Sequence, residues 1–550
     1  MNLPAVEAPL PSPTVRSKAN RVATRIVSAG DTTLELLGLV AIVGLAVLLR
    51  FHDLASRGTW DSDQGHDMIV LEGFVRSGIW PLLGPPTSIG DFHHGALYYY
   101  LLAPSAWLGG GDPAWVVGEI ALSGVAAVAV TWWLARSMAG PLAGLTAALL
   151  LGVSATAVEG STFIWNPNLI ALSSAVALAG AWRAWTTHSA RWWLVAAAGM
   201  AVTMQCHVLG IVMLPPLAAL MVADARREGQ GPSVARVAIA SVALIVASYV
   251  PLIVHELQTN LQEANNALAF LRSGGSAVAL DPLSRVVFAA LRLVSWPLVG
   301  LVTDAPIAAL LALAAVVGII AWRWRAPLAT ERTAVRWLGL TLLWSTLALG
   351  LGTAGLATVV QGLPVDHYHA FLDPLIVVIV GIGVARLWEA RPPLRPGTIR
   401  IPFAGAGPAL ASVALVALVT WNTVHQPPPV ARDGGYPAAL AAAIRIDQTT
   451  GDRRGLISSL PAFKPAEAYV YPLERIGSRI EPEQADQMGR IDSLAIVCDG
   501  LFTQAIGAAC QGPAEDRLAA TLRGFGGSLG LADRFQAAPA RWISVYLARP

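Results

Sequence analysis

Apolar runs fill most of the chain, with short polar breaks between them. Thirteen stretches stand out, near residues 33–51, 95–110, 113–135, 140–158, 167–186, 192–208, 209–223, 233–254, 285–303, 305–322, 334–360, 371–388 and 402–421. A helix of about 20 apolar residues crosses a hydrocarbon core of roughly 30 Å. The pattern therefore predicts an α-helical polytopic membrane protein. The basic residues between the runs decide which of them cross. Arginines are expected on the cytoplasmic side. The clusters are Arg16 to Arg25, Arg136, Arg183 with Arg191, Arg226 with Arg227, Arg323 to Arg336, and Arg386 to Arg400. If all thirteen runs crossed, three of these groups would face outward. If 95–110 and 285–303 instead lie along the outer surface, every cluster faces inward. Pro104 interrupts the first of these runs, and Arg285, Arg292 and Pro297 interrupt the second. The expectation is about eleven crossings plus two juxtamembrane or re-entrant elements. The N-terminus is then inside and residues 422–550 are outside.

Composition agrees: 55% of the residues are hydrophobic and 13% charged, against about 25% charged in a soluble domain. The net charge of +2 is uninformative, and no nucleic-acid partner is expected. Residues 1–32 are polar and read as a cytoplasmic segment. The apolar run after them is too long for the core of a cleavable signal. Residues 33–421 read as the membrane domain, with a first outer loop at 52–94. From Pro427 the composition becomes polar and mixed. GLISSLP, AEAYVYPL, SLAIVCDG and RWISVYLA read as short strands, and EDRLAATLRGFGG as a helix ending at glycine. Residues 422–550 are thus expected to form a small extracytoplasmic α/β domain. Cys206 reads as an inert core residue. Outside the cytoplasm, Cys498 and Cys510 could close a short disulfide loop.

This topology gathers carboxylates on one side: Asp61, Asp63, Asp67, Asp91, Glu159, Glu256, Glu263, Asp304, Asp366 and Asp373. Nine of the ten histidines join them at outer loops or outer helix ends, and only His188 is clearly inside. An Arg-rich inner face alone would give the same distribution. The first outer loop is the densest stretch, reading WDSDQGHDMIVLEGFVRSGIW and then PLLGPPTSIGDFHHGALYYYLLAP. Apolar residues at 68, 71, 74 and 75, with Gly78 as a stop, predict a short amphipathic helix lying at the interface. Trp60 and Trp80 at its ends read as interfacial anchors. Ser62 or Asp63 would cap its N-terminus. A cap alone does not explain Asp61, Asp67, Asp91, His93 and His94 in the same loop.

Chemistry at an outer leaflet lacks nucleotide sugars, so an activated donor must arrive on a lipid. A carboxylate must then take a proton from the attacking hydroxyl. Cations must hold the leaving phosphate as its charge grows, and an apolar groove must take the lipid. Asp63 suits the first role, with Asp61 positioning it. His93, His94, Arg285 and Arg292 suit the second. Tyr98, with Tyr99 and Tyr100, suits the third, or forms an aromatic interfacial belt.

The WDSDQGHD…SGIW segment, with FHHGALYYYLLAP after it, resembles the first outer loop of the class C membrane glycosyltransferases that use polyprenyl-phosphate sugars. The protein O-mannosyltransferases and lipid A aminoarabinose transferases are of this class. There a Trp-Asp-x-Asp-Glu or Asp-Glu motif opens the loop and a Lys-Pro-Pro-Leu-x-Tyr-like motif closes it. By this resemblance Asp61 and Asp63 match the acidic motif, with Asp63 as the base, and His94 matches the residue that contacts the lipid phosphate. Asn166 in WNPN matches an Asp-Pro or Asn-Pro at a later outer corner. Gln64 stands where many members have Glu, which weakens any case for a metal held by an Asp-Glu pair. Gly95-Ala96 replaces Pro-Pro. The detailed match covers about residues 33–190. The resemblance implies an inverting, single-displacement transfer.

Asn166 reads either as a substrate contact or as the cap of a helix that Pro167 begins. Asp366, His367, His369 and Asp373 share one outer loop, as donor or sugar contacts, a metal site, or polar surface residues. Asp67 is a further candidate substrate contact. HELQTNLQEANN at 255–266 reads as a solvated amphipathic helix or the lining of an acceptor path. No cofactor is certain, and Asp plus His leave a divalent metal open. The expected activity is glycosyl transfer from a polyprenyl-phosphate-linked sugar to an acceptor hydroxyl at the outer face of the cytoplasmic membrane. The acceptor is a lipid, a polysaccharide or a protein, and the C-terminal domain helps bind it. The alternative is a non-enzymatic transporter or flippase of lipid-linked saccharides, which predicts ionisable residues deep within the crossings. These are few. A third reading is a sensor whose outer domain does the recognition.

Overall fold

The computed structural model describes residues 13–87, 91–272, 280–352, 368–390, 406–482, 491–521 and 529–548, with side chains from residue 32 onward. Ten helices among them are long and apolar enough to cross a membrane. Two shorter apolar helices, Pro141–Val153 and Trp192–Cys206, lie among them. Leaving out Pro282–Val299, the other nine long helices and the two short ones coincide with the eleven stretches expected to cross.

Polar residues sort to the two ends of this bundle. At one end the buried Glu331 pairs with Arg323 at 2.6 Å and with Arg386 at 2.9 Å. Arg386 also donates to the Ala139 carbonyl, and Arg136 pairs with Glu35. Asp224 accepts from Trp193 Nε1 and from Arg227. These acids neutralise charges that would be costly to bury alone. The other end carries the rim loop and the C-terminal unit.

Helix Pro282–Val299 is long enough to cross, yet both of its ends lie at the rim end. Arg285 Nη2 near its start donates to the carbonyl of Leu351, where helix Ala329–Gly352 ends after rising from the arginine end. Near its finish, the Trp296 carbonyl accepts from Thr156, and the Leu298 and Val299 carbonyls accept from Asn422 and Trp421. This helix therefore lies across the end of the bundle. Helix Leu97–Leu108, with Pro104 inside it, replaces the run at 95–110 and is too short to span.

Within the rim loop, helix Ser62–Ser77 ends at Gly78, as its pattern predicted. Strands β1 (Leu83–Pro86) and β2 (His93–Gly95) then form a small antiparallel ribbon.

The C-terminal unit has β3 (Gly455–Leu460), β4 (Ile480–Pro482), β5 (Ser493–Asp499), β6 (Leu529–Ala538) and β7 (Arg541–Ala548) in the order β4-β3-β5-β7-β6. The first three are parallel, and β7 and β6 join antiparallel. Every residue of β5 is buried, as expected of a strand covered on both faces. Three expected strands are present. AEAYVYPL is not one of them, since Glu467–Arg475 is a helix. Ala468 to Leu473 are all buried, wedged between the sheet and the rim helix, so burial on all sides erased any helical period. Helix Pro513–Thr521 forms where expected, and its glycine end lies outside the described residues. Cys498 and Cys510 are joined by a disulfide, and Cys206 is free and buried.

Candidate functional site

Asp61, not Ser62 or Asp63, caps the rim helix. Its carboxylate accepts from Ser62 N–H at 2.8 Å, and Gln64 Oε1 accepts from Asp61 N–H, closing a capping box. The same carboxylate takes Lys464 Nζ on Oδ2 and Arg541 Nη2 on Oδ1, each at 3.0 Å. Burial pushes its pKa up, but Arg541 and Lys464 outweigh this and hold it below the usual carboxylate value.

Asp63, one step into the helix, makes no hydrogen bond or ion pair among the described residues. Its side chain is open to water, yet enough protein surrounds it that burial raises its pKa. Lys464 opposes that rise, and Asp61 and Glu467 add to it. A raised pKa makes a carboxylate a better proton acceptor.

Gln64 uses both ends of its amide. Besides serving the cap, Nε2 donates to the Ile164 carbonyl at 2.8 Å. A glutamate could not make that second bond. The departure from the motif that this loop resembles thus has a structural reason, because both ends of the residue 64 side chain are engaged. Among the described residues no group of three or more His, Cys, Asp or Glu is placed to hold a metal.

Asp67 and Tyr98 serve the scaffold. Asp67 is buried and accepts from Tyr98 and Tyr99, each at 2.8 Å, which locks the rim helix to helix Leu97–Leu108. Tyr98 is fully buried, so it lines no open groove. Burial raises the Asp67 pKa to about 7. Trp60 is also no interfacial anchor: it is buried under Tyr436 and Tyr471 and donates to the Ala468 carbonyl. Trp80 is 68% exposed.

A second cluster lies beside these acids. His94 is buried, with its ring 4.9 Å from that of His207. His207 in turn packs against Tyr368 at 5.0 Å, and Tyr368 against Trp165 at 5.4 Å. Arg292 is buried and interacts electrostatically with Tyr368. His369 is buried against Trp296. The acids and this cluster adjoin where Gln64 bonds Ile164, the neighbour of Trp165. Burial, with His93 alongside, lowers the His94 pKa to about 4. His94 is therefore neutral at neutral pH, and its Nδ1 is buried without a partner among the described residues.

The remaining candidates are placed as follows. His93 is bound to Glu263 through both its backbone N–H and Nδ1, and Arg285 rests on Leu351. Asn166 is buried and donates to the Cys206 carbonyl, tying two crossings together. Asp373 is buried at the start of helix Asp373–Glu389, with Oδ1 unpartnered among the described residues. Asp366 and His367 lie outside the described residues. Gly95 sits where a Cβ would fall 1.6 Å from Gln205 Oε1, so the turn that replaces Pro-Pro admits a buried amide instead. Lys464, Arg541 and His207 were missed in the sequence. The first two lie in a soluble-looking region with no motif, and His207 is a lone histidine at a helix end.

This architecture is the class C glycosyltransferase fold. ArnT from Cupriavidus metallidurans superposes with TM-score 0.56 in its apo state, at 16% identity over 93% of this chain and 98% of that one. The same protein bound to undecaprenyl phosphate gives TM-score 0.54, at 15% identity over 93% of this chain and 99% of that one. More particularly, residues 93–253 match the family model described as dolichyl-phosphate-mannose-protein mannosyltransferase. The resemblance read from the first outer loop is borne out. No curated protein matches the sequence.

Proposed function

We propose that this protein transfers a sugar from a polyprenyl-phosphate carrier to an acceptor hydroxyl at the outer face of the cytoplasmic membrane. The observation that carries this reading is the contrast between two neighbouring aspartates. Asp61 is tied by two cations and a helix cap, and Asp63 is left open to water and unpaired. Asp63 takes the proton of the acceptor hydroxyl, whose oxygen attacks the anomeric carbon. The polyprenyl phosphate leaves from the opposite face with the bonding pair, so the configuration inverts. Arg292 supplies a permanent charge for the phosphate, and neutral His94 donates a hydrogen bond from its buried ring.

Three findings support the reading. The family model that matches residues 93–253 is named for a lipid-phosphate sugar donor. A structure sharing the fold was solved with undecaprenyl phosphate. The Cys498–Cys510 disulfide suits an oxidising compartment, which supports placing residues 422–550 outside. That unit would help bind the acceptor, with 33–421 as the membrane domain and 1–32 as the cytoplasmic segment.

The test is transfer by purified protein given a radiolabelled polyprenyl-phosphate sugar and membrane-derived acceptor. Asp63→Asn should lower the rate at least about 100-fold with unchanged size-exclusion behaviour and thermal stability. Full activity in that variant would remove Asp63 from the mechanism.

A further inference from the structure

The C-terminal unit reaches the rim loop through more than packing. The Lys464 and Arg541 cations stand 403 and 480 residues beyond Asp61 in the chain, and each holds one of its carboxylate oxygens. Both come from firmly seated positions. Lys464 lies just before helix Glu467–Arg475, which packs along the rim helix. Gly65 permits that packing, because a Cβ there would lie 2.1 Å from the Glu467 carbonyl oxygen. Arg541 opens β7 and pairs in register with Asp499, the residue after the disulfide-bonded Cys498. Asp499 Oδ2 also lies 3.8 Å from the Arg541 guanidinium.

We propose that the C-terminal unit completes the catalytic centre, with Lys464 and Arg541 as positioning residues that fix Asp61 and set the electrostatic field at Asp63. This rests on the reading of Asp63 as the base. Asp61 has both oxygens occupied, so it neither exchanges protons with substrate nor ligates a metal. It transmits the hold of the C-terminal unit to the first turn of the rim helix, where Asp63 sits.

The charged and titratable groups around Asp63 come from three elements. Asp61, His66 and Asp67 belong to the rim segment, Lys464 and Glu467 to the C-terminal unit, and Tyr99 to helix Leu97–Leu108. His66 Nδ1 is itself 3.0 Å from Glu467. Lys464 and His66 lower the Asp63 pKa, with Lys464 the stronger of the two, and Asp61 and Glu467 raise it. Without Lys464, Asp61 and Glu467 would push the Asp63 pKa further up.

The experiment is a pH–rate profile of the full-length protein with Lys464→Met and Lys464→Arg. Lys464→Met should move the acid limb of kcat/KM up by about one pH unit, with activity recovering at higher pH. Lys464→Arg should keep the original limb. A uniform loss at every pH, or an unmoved limb in Lys464→Met, would overturn the proposal. A second measurement does not depend on transfer. Hydrogen exchange at residues 62–67 should quicken about tenfold or more in Lys464→Met/Arg541→Met, and Lys464→Arg/Arg541→Lys should remain slow. Unchanged exchange in the Met variant would show that no clamp exists. If the wild-type protein transfers no sugar while the exchange result holds, the enzymatic reading fails and the clamp stands.

Discussion

Three neighbouring side chains in the rim divide the work by their partners. Asp61 anchors, Asp63 stands open to water, and Gln64 ties the loop to the corner before Trp165. Gln64→Glu would restore the commoner family residue, but it would orphan the Ile164 carbonyl and add a negative charge beside Asp61 and Asp63. It should cost about 1–3 kcal/mol of stability and lower transfer, with no gain in divalent-metal affinity by titration calorimetry. The buried His94 gives a second test. Its pKa is depressed to about 4, and a bound phosphate would raise it. Donor affinity should then be highest in acid and fall as pH rises through the value in the complex. His94→Gln should flatten that dependence, as measured by polyprenyl-phosphate binding at several pH values.

At the level of elements, the rim helix is clamped between its neighbours. Tyr98 and Tyr99 of helix Leu97–Leu108 fix it through Asp67, and the helix Glu467–Arg475 presses on it at Gly65. Gly65→Ala should push the two helices apart and cost about 1–3 kcal/mol of stability. Transfer should fall further than the melting temperature suggests, because the displaced element carries Asp63. Thermal melts paired with rate measurements would show this; wild-type activity in Gly65→Ala would mean that the contact is slack.

For the whole molecule, the separation of charge between the two ends is the organising feature. Arg136, Arg227, Arg323 and Arg386 pair at one end. The rim acids, His94, His207 and the C-terminal unit occupy the other. Reporter fusions after residues 140 and 230 should read as cytoplasmic, and a fusion at the C-terminus as external. An external signal at residue 140 or 230 would overturn the orientation. The long span Pro282–Val299 should behave as a surface element in the same assay, with residues on both flanks on the rim side.

The chain by itself marked the membrane-length stretches, because hydrocarbon thickness imposes a length, and its arginine clusters singled out the two runs that do not join them. It also marked the rim loop, because Asp61, Asp63 and His94 form a local motif that needs no folding to be seen. What each residue does was decided only in three dimensions. Asp67 and Tyr98 resembled site residues until their mutual hydrogen bond placed them in the core. AEAYVYPL resembled a strand because burial on every side leaves its helix without a polar stripe to mark the period. Lys464 and Arg541 carried no signal, because a charge acquires its meaning from the group it faces. Here that group, Asp61, lies more than 400 residues away along the chain and 3.0 Å away in space.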